Sequence, residues 1–147
     1  MPSKPLQEWI STDVLALGKV LRHLVGDRIG RLSNGGSALW IGKTLPSSSS
    51  IEGCLLVIDA DYIPRRRTEL ASGQIKIEGI WQLTLIQYGD RDADVLAARE
   101  IKDTLVRSLP GVTWRPSTPL RNNFPRSICY IEFSEVINGC TAQKLSL

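Results

Sequence analysis

Residues 74–110, QIKIEGIWQLTLIQYGDRDADVLAAREIKDTLVRSLP, decide the fold. Ile75, Ile77, Trp81, Leu83 and Leu85 recur at period two, so they project from one face of a strand. Lys76, Glu78, Gln82 and Thr84 fill the other face, interrupted by Ile80 and Ile86. The pattern lasts for about a dozen residues, roughly twice the usual strand length. A long partner must therefore pair with it, within the chain or across a subunit boundary. After Gly89, Asp90 or Asp92 is placed to cap a helix spanning Asp94 to Leu109, with further acid in its first turn favouring the positive end of the dipole. Val95, Ala98, Ile101, Leu105 and Leu109 form its expected buried stripe, and Glu100, Lys102, Asp103 and Arg107 its solvated face. Pro110-Gly111 ends it.

Upstream, Gly53 to Ile63 (GCLLVIDADYI) predicts a second strand, apolar on both faces through Ile58 and therefore central. Pro64 and the run Arg65, Arg66, Arg67 end it, and residues 64–73 (PRRRTELASG) connect it to the long strand. Both flanking strands can extend into an antiparallel hairpin arm. Earlier still, the spacing of Trp9, Ile10, Val14, Leu17, Leu21, Leu24 and Val25 predicts a helix over 7–26. Ser11 and Thr12 are cap residues inside that window, so a start at Asp13 is the alternative. Gly26 stops the helix and Gly30 continues the break. Residues 32–36 (LSNGG) read as a turn, 38–42 (ALWIG) as a short strand, and 46–50 (PSSSS) as a flexible loop too short for a domain linker.

Downstream, Val112 to Arg115 starts a strand and Pro116 to Pro125 is a loop. Ser127 to Ile137 (SICYIEFSEVI) is the last strand, alternating Ile128, Tyr130 and Glu132 against Cys129, Ile131 and Phe133. Residues 138–147 read as a loose tail. Helices segregated from such strands give an α+β fold: a mostly antiparallel twisted sheet with a long hairpin, flanked by two helices, in one domain over 1–147.

The composition, 42% hydrophobic and 22% charged over 147 residues, is that of a soluble globular chain able to bury a core. A net charge of +3 is weaker than a dedicated nucleic-acid binder would usually carry. The three cysteines, Cys54, Cys129 and Cys140, have no metal-ligand spacing, and their odd number argues against a closed disulfide framework. Cys54 and Cys129 lie in apolar strand patterns, where a thiol is a small buried hydrophobe. No stretch approaches the roughly 18 apolar residues of a membrane span, and MPSKPLQEWISTDV lacks the apolar core of a secretory signal. A protein made and folded in the cytoplasm, without membrane contact, is expected.

Signatures of catalysis are sparse. His23, the only histidine, has no ligand-type residue at metal spacing and reads as structural or superficial. Asp59 and Asp61 at i, i+2 put two carboxylates on one face of a strand end, a pattern that can bind a divalent ion or divide acid and base roles. The basic residues that follow make solubilisation the plainer reading. Asp90, Asp92 and Asp94 imitate the start of a calcium loop but lack its glycine and distal glutamate. Gly42-Lys43-Thr44 matches only the tail of a phosphate loop. No catalytic residue, metal ligand or cofactor is assigned, and an enzyme is not expected.

Arg65, Arg66 and Arg67 are the one concentrated charge feature. They read first as a solvated turn, then as a subunit contact, then as a phosphate contact, with Tyr62 the only aromatic beside them. Of the four tryptophans, Trp81 and Trp40 fit a core, whereas Trp9 and Trp114 also suit interface anchors.

A leading helix, strands, a long hairpin carrying IEGIWQLTLIQYGDRDADVLAAREIKDTLVRSLPG over 77–111, and a closing β pair resemble the tail terminator (tail completion) proteins of tailed bacteriophages. The resemblance covers about residues 7–137 in element order and is specific at Gly79 to Gly111. It implies a structural virion protein of the tail or neck, assembled in the host cytoplasm. Such a protein caps the tail tube as a homohexameric ring, ends tube polymerisation and joins tail to head. The implied partners are other copies of the chain, the tail tube protein and a head-completion or connector protein, with sheath contact if the tail is contractile and DNA only passing through the lumen. A head-completion or other neck protein, or a small α+β enzyme or ligand-binding domain using Asp59 and Asp61, are the alternatives. That family shares no catalytic site. Arg65, Arg66, Arg67, Tyr62, Trp114, Asn122 and Asn123 are the interface candidates, chosen from exposure and charge.

Overall fold

The long strand finds its partner within the chain. The computed structural model describes residues 10–46, 50–109, 111–117 and 124–138, without the side chains of Asp27 and Ser72. In it the elements run α1 (Val14–Val25), β1 (Arg31–Leu32), β2 (Leu39–Ile41), β3 (Ile51–Glu52), β4 (Cys54–Ile58), β5 (Ile63–Glu69), β6 (Gln74–Gln87), α2 (Asp92–Ser108), β7 (Arg115–Ser117) and β8 (Arg126–Asn138). The 14-residue β6 pairs antiparallel with the 13-residue β8 in unbroken register from Gln74↔Asn138 to Ile86↔Arg126. Its other edge is shared in sequence. β4 pairs with residues 83–87 and β5 with residues 75–80, both antiparallel. Strand order is β2-β4-β6-β8-β7 with β5 beside β6, and β1 and β3 form a separate antiparallel pair. Only β2–β4 is parallel among the described ladders. The fold is α+β, mostly antiparallel, with a long hairpin whose tip is a single 3-10 turn at Ala71–Gly73.

Several expectations are corrected by the packing. The strand predicted over Gly53–Ile63 is two strands, interrupted at 59–62, where Asp59 N still donates to Gln82 O at 3.2 Å. The presumed connection at 64–73 is itself mostly strand, so Pro64 and the three arginines are strand residues. α1 starts at Val14 with Asp13 as its cap, Oδ1 accepting from Leu15 N at 3.0 Å. Residues 10–12 are not helical because the sheet claims their polar groups. Ser11 O accepts from Trp81 Nε1 at 2.8 Å, and Thr12 donates through N and Oγ1 to Glu135 Oε2. β7 begins at Arg115, later than expected, and includes Pro116, which lacks an N–H and so fits a sheet edge. The tail predicted at 138–147 lies, past Asn138, outside the described residues.

The core lies between the helices and one face of the sheet. Leu17, Leu21 and Val25 of α1 and Ala98, Ile101 and Leu105 of α2 are buried with Leu56, Ile58, Leu83 and Leu85. β4 is buried at every residue, as a central strand should be. Trp40 and Leu45 are half-buried against this core. The expected stripe of α2 is buried at Ala98, Ile101, Leu105 and Leu109 and differs only at its first position, where Asp94 is 5% exposed and Val95 is 41% exposed. Asp94 takes the place because it closes the start of the helix, accepting from Arg91 N at 3.3 Å and Arg91 Nε at 3.1 Å. Arg91, neither Asp90 nor Asp92, is the cap residue, and the acceptor is Asp94 in the third helical position. Gly89 packs so closely on the Asp94 carboxylate that a side chain there would overlap it.

Candidate functional site

Beyond the level of the helices, β5, β6 and β8 continue as a three-stranded arm. Residues paired across antiparallel strands share a face. Tyr62, Trp81 and Phe133 meet on the helix side, with ring centroids 5.6 Å (Tyr62–Trp81) and 5.0 Å (Tyr62–Phe133) apart, both edge-on. Gly79 lies under this cluster, where a Cβ would come within 2.8 Å of the Phe133 ring and 2.9 Å of Ile63 O. The aromatic cluster therefore fixes the root of the arm to the body.

The opposite face of the arm is uncovered by any described residue. It carries Ile63, Tyr130 and Val136, which are 41%, 40% and 51% exposed, among charged neighbours. Lys76 and Glu78 form an ion pair at 3.3 Å there. A shallow depression of about 410 Å³ is lined by Arg65, Lys76, Glu78, Ile80, Glu132 and Ser134.

Two strand edges border the arm, and they differ. β5 is paired only to β6, and its outer edge meets no described strand. Arg65, Arg66 and Arg67 are all exposed along it, and none forms an ion pair with a described residue. The register slips between Pro64 and Arg66, leaving Arg65 as the extra residue of a bulge. Proline, a bulge and charge are the usual devices that keep an edge strand from unwanted pairing. β8 is bordered by β7 only at residues 126–128. From Tyr130 to Ile137 its outer edge meets no described strand either, and it has neither proline, bulge nor basic residue.

Of the sequence candidates, the arm holds Arg65, Arg66 and Arg67 on its edge and Tyr62 at its root, where the ring is half-buried in the aromatic cluster. Trp114 is far along the chain from them, half-buried, and donates from Nε1 to Lys102 O at 3.2 Å, packing against the core. Asn122 and Asn123 lie outside the described residues. Asp59 and Asp61 are not on a strand end but in the 59–62 break. Asp61 is largely exposed, with Lys43 Nζ 3.9 Å away. Among the described residues, no three His, Cys, Asp or Glu side chains converge as metal ligands. The β8 edge escaped sequence reading, although its signal is present: the run from Ser127 to Ile137 contains no Lys, Arg, Pro or Gly.

Both described thiols are inert by burial. Desolvation, with the Asp94 charge second, pushes Cys54 up to about 11, and desolvation pushes Cys129 up to about 12. Tyr88 is also raised by burial, and Arg91 is held above its usual value first by its hydrogen bond to Asp94 and then by that carboxylate's charge. These groups stabilise the protonation states the fold already uses and create no nucleophile or base. Among the described residues no helix is long and apolar enough to cross a membrane. No protein-family model and no curated protein matches the chain. Fold and site together define an α+β protein whose salient surface is a sheet arm with two edges that no described strand covers.

Proposed function

We propose that this chain is a ring-forming structural subunit that caps the tail tube of a tailed bacteriophage, ends tube growth and joins the tail to the head or neck. The observation that carries the reading is the arm. A 14-residue strand paired with β8 over residues 74–86 and with β4 and β5 on its other side makes a rigid projection, and no described strand pairs with the outer edge of β5 or with that of β8 from Tyr130 to Ile137. Unpaired strand edges are templates for another chain. A head-to-tail contact between unlike edges closes into a ring when its rotation divides a full turn. The strand–turn–helix run over 77–111, which resembles tail terminators, adds the class of assembly. In that role the copies of the chain, the tube protein and a neck protein are the partners, and the arginines of β5 act at a subunit or ring contact.

Light scattering on the purified protein, alone and with polymerising tube protein, tests this. The expected result is a closed oligomer, in one or both conditions, and tubes whose growth stops when the protein is added. A strict monomer in both conditions, with tube length unchanged, overturns the reading.

A further inference from the structure

The two open edges of the arm carry opposite charge, and their registers match. Arg67 of β5 and Glu135 of β8 are both paired with Ile77, so they stand at the same height on the same face. On the other face Arg66 pairs with Glu78, while Glu132 stands opposite Ile80, one pleat away. Each face of the β5 edge thus presents a guanidinium, and each face of the β8 edge a carboxylate: Glu132 is exposed, and Glu135 is half-buried, its Oε2 accepting from Thr12 N and Oγ1 of its own chain. β5 and β8 are both antiparallel to β6, so they run parallel to each other.

Resting on the ring reading above, we propose that the β5 edge of one copy adds to the β8 edge of the next, making a sheet continuous across the subunit boundary. The occupant is a second copy because the surfaces are complementary to each other and repel themselves. Two β5 edges would oppose arginine runs, and two β8 edges would oppose glutamates. A rotation about an axis along the strands moves no residue along that axis, so Arg67 arrives level with Glu135 of the neighbour. The unguarded β8 edge is then explained: it is covered in the assembly. The proline and bulge at the start of β5 confine pairing to its regular portion, Arg66 to Glu69.

Charge reversal with mixing tests the contact. One variant carries Arg66→Glu, and the other Glu132→Lys and Ser134→Lys, all exposed and all on the same face of the arm, with Arg67 and Glu135 unchanged in both. Each should keep the wild-type circular dichroism and melting temperature as a folded subunit. Alone, each puts like charges on both sides of the seam. Assembly should then require roughly a hundredfold more protein than wild type. Mixed in equal amounts, they should assemble again, with alternating copies in rings of even number by native mass spectrometry. Variants that assemble as wild type overturn the inference and leave the ring reading standing; that outcome is expected if another segment of this chain, or a different protein, covers the β8 edge. Monomeric variants that do not recover on mixing also overturn it. A wild-type protein that is monomeric with and without tube protein overturns both.

Discussion

β4 and β5 lie end to end along the same edge of β6, in the same direction and by the same antiparallel pairing, yet they share almost nothing else. β4, CLLVI, is buried at every residue; β5, IPRRRTE, is exposed at all but one. Backbone pairing is thus indifferent to burial. What separates them is what surrounds them: β4 has β2 beyond it and α2 packed against it, while no described strand lies beyond β5. The body of the molecule is built for stability and the arm for contact.

The largest effect separating the two regions should come from Leu56→Ala. It removes a fully buried side chain from β4 and should lower unfolding free energy by about 2–5 kcal/mol in urea titration. A loss below about 1 kcal/mol would mean that β4 is not the enclosed centre described above. Gly79→Val comes next, forcing a branched side chain against Phe133 and Ile63 O; about 1–3 kcal/mol is expected, together with a change in near-ultraviolet dichroism from the displaced aromatic cluster. Asp94→Ala leaves Arg91 N without its acceptor and should cost about 1–2 kcal/mol, whereas alanine at the exposed Asp92 should cost far less. If both substitutions cost the same, the cap assignment is wrong.

A pH dependence of similar order is expected from the thiols. Cys54 and Cys129 titrate at about 11 and about 12 in the folded chain against 9.0 for an ordinary thiol, so the folded state holds protons that the unfolded chain gives up. Their contribution is complete below pH 9 and is lost as pH rises toward 11 and beyond. Melting temperature should therefore decline more steeply above pH 9 in the wild type than in a Cys54→Ala, Cys129→Ala double variant. The smallest effect belongs to the arm: Arg66→Ala should change subunit stability by no more than about 0.5 kcal/mol, because the side chain is exposed and forms no ion pair with a described residue.

Much of this contrast was legible in the residues. The period-two run of β6, the continuously apolar CLLVI of β4 and the alternation of β8 each reported the number of covered faces, since a strand buried on both sides needs apolar residues throughout and one buried on a single side needs only alternate ones. Arg65–Arg67 stands out in the sequence as a concentration of charge that reads as a turn, because proline beside three charged residues matches a turn as well as it matches an edge strand. Only the pairing to β6 distinguishes the two. The buried stripe of α2 departs from its hydrophobic pattern at Asp94, where a hydrogen-bonding requirement at the helix start overrides hydrophobicity. The β8 edge went unread because an edge is a relation between strands and leaves no periodicity of its own.

The sequence by itself determined the two helices, the strands β2, β4, β6 and β8, the unusual length of the central strand and the identity of most core residues, since these follow from local periodicity and the free energy of burying apolar side chains. Tertiary structure alone decided that β4 and β5 share one edge of β6, that β8 covers the other, and that the arm ends in one basic and one acidic border. Those facts depend on hydrogen bonds between residues distant in the chain, whose geometry no local pattern encodes.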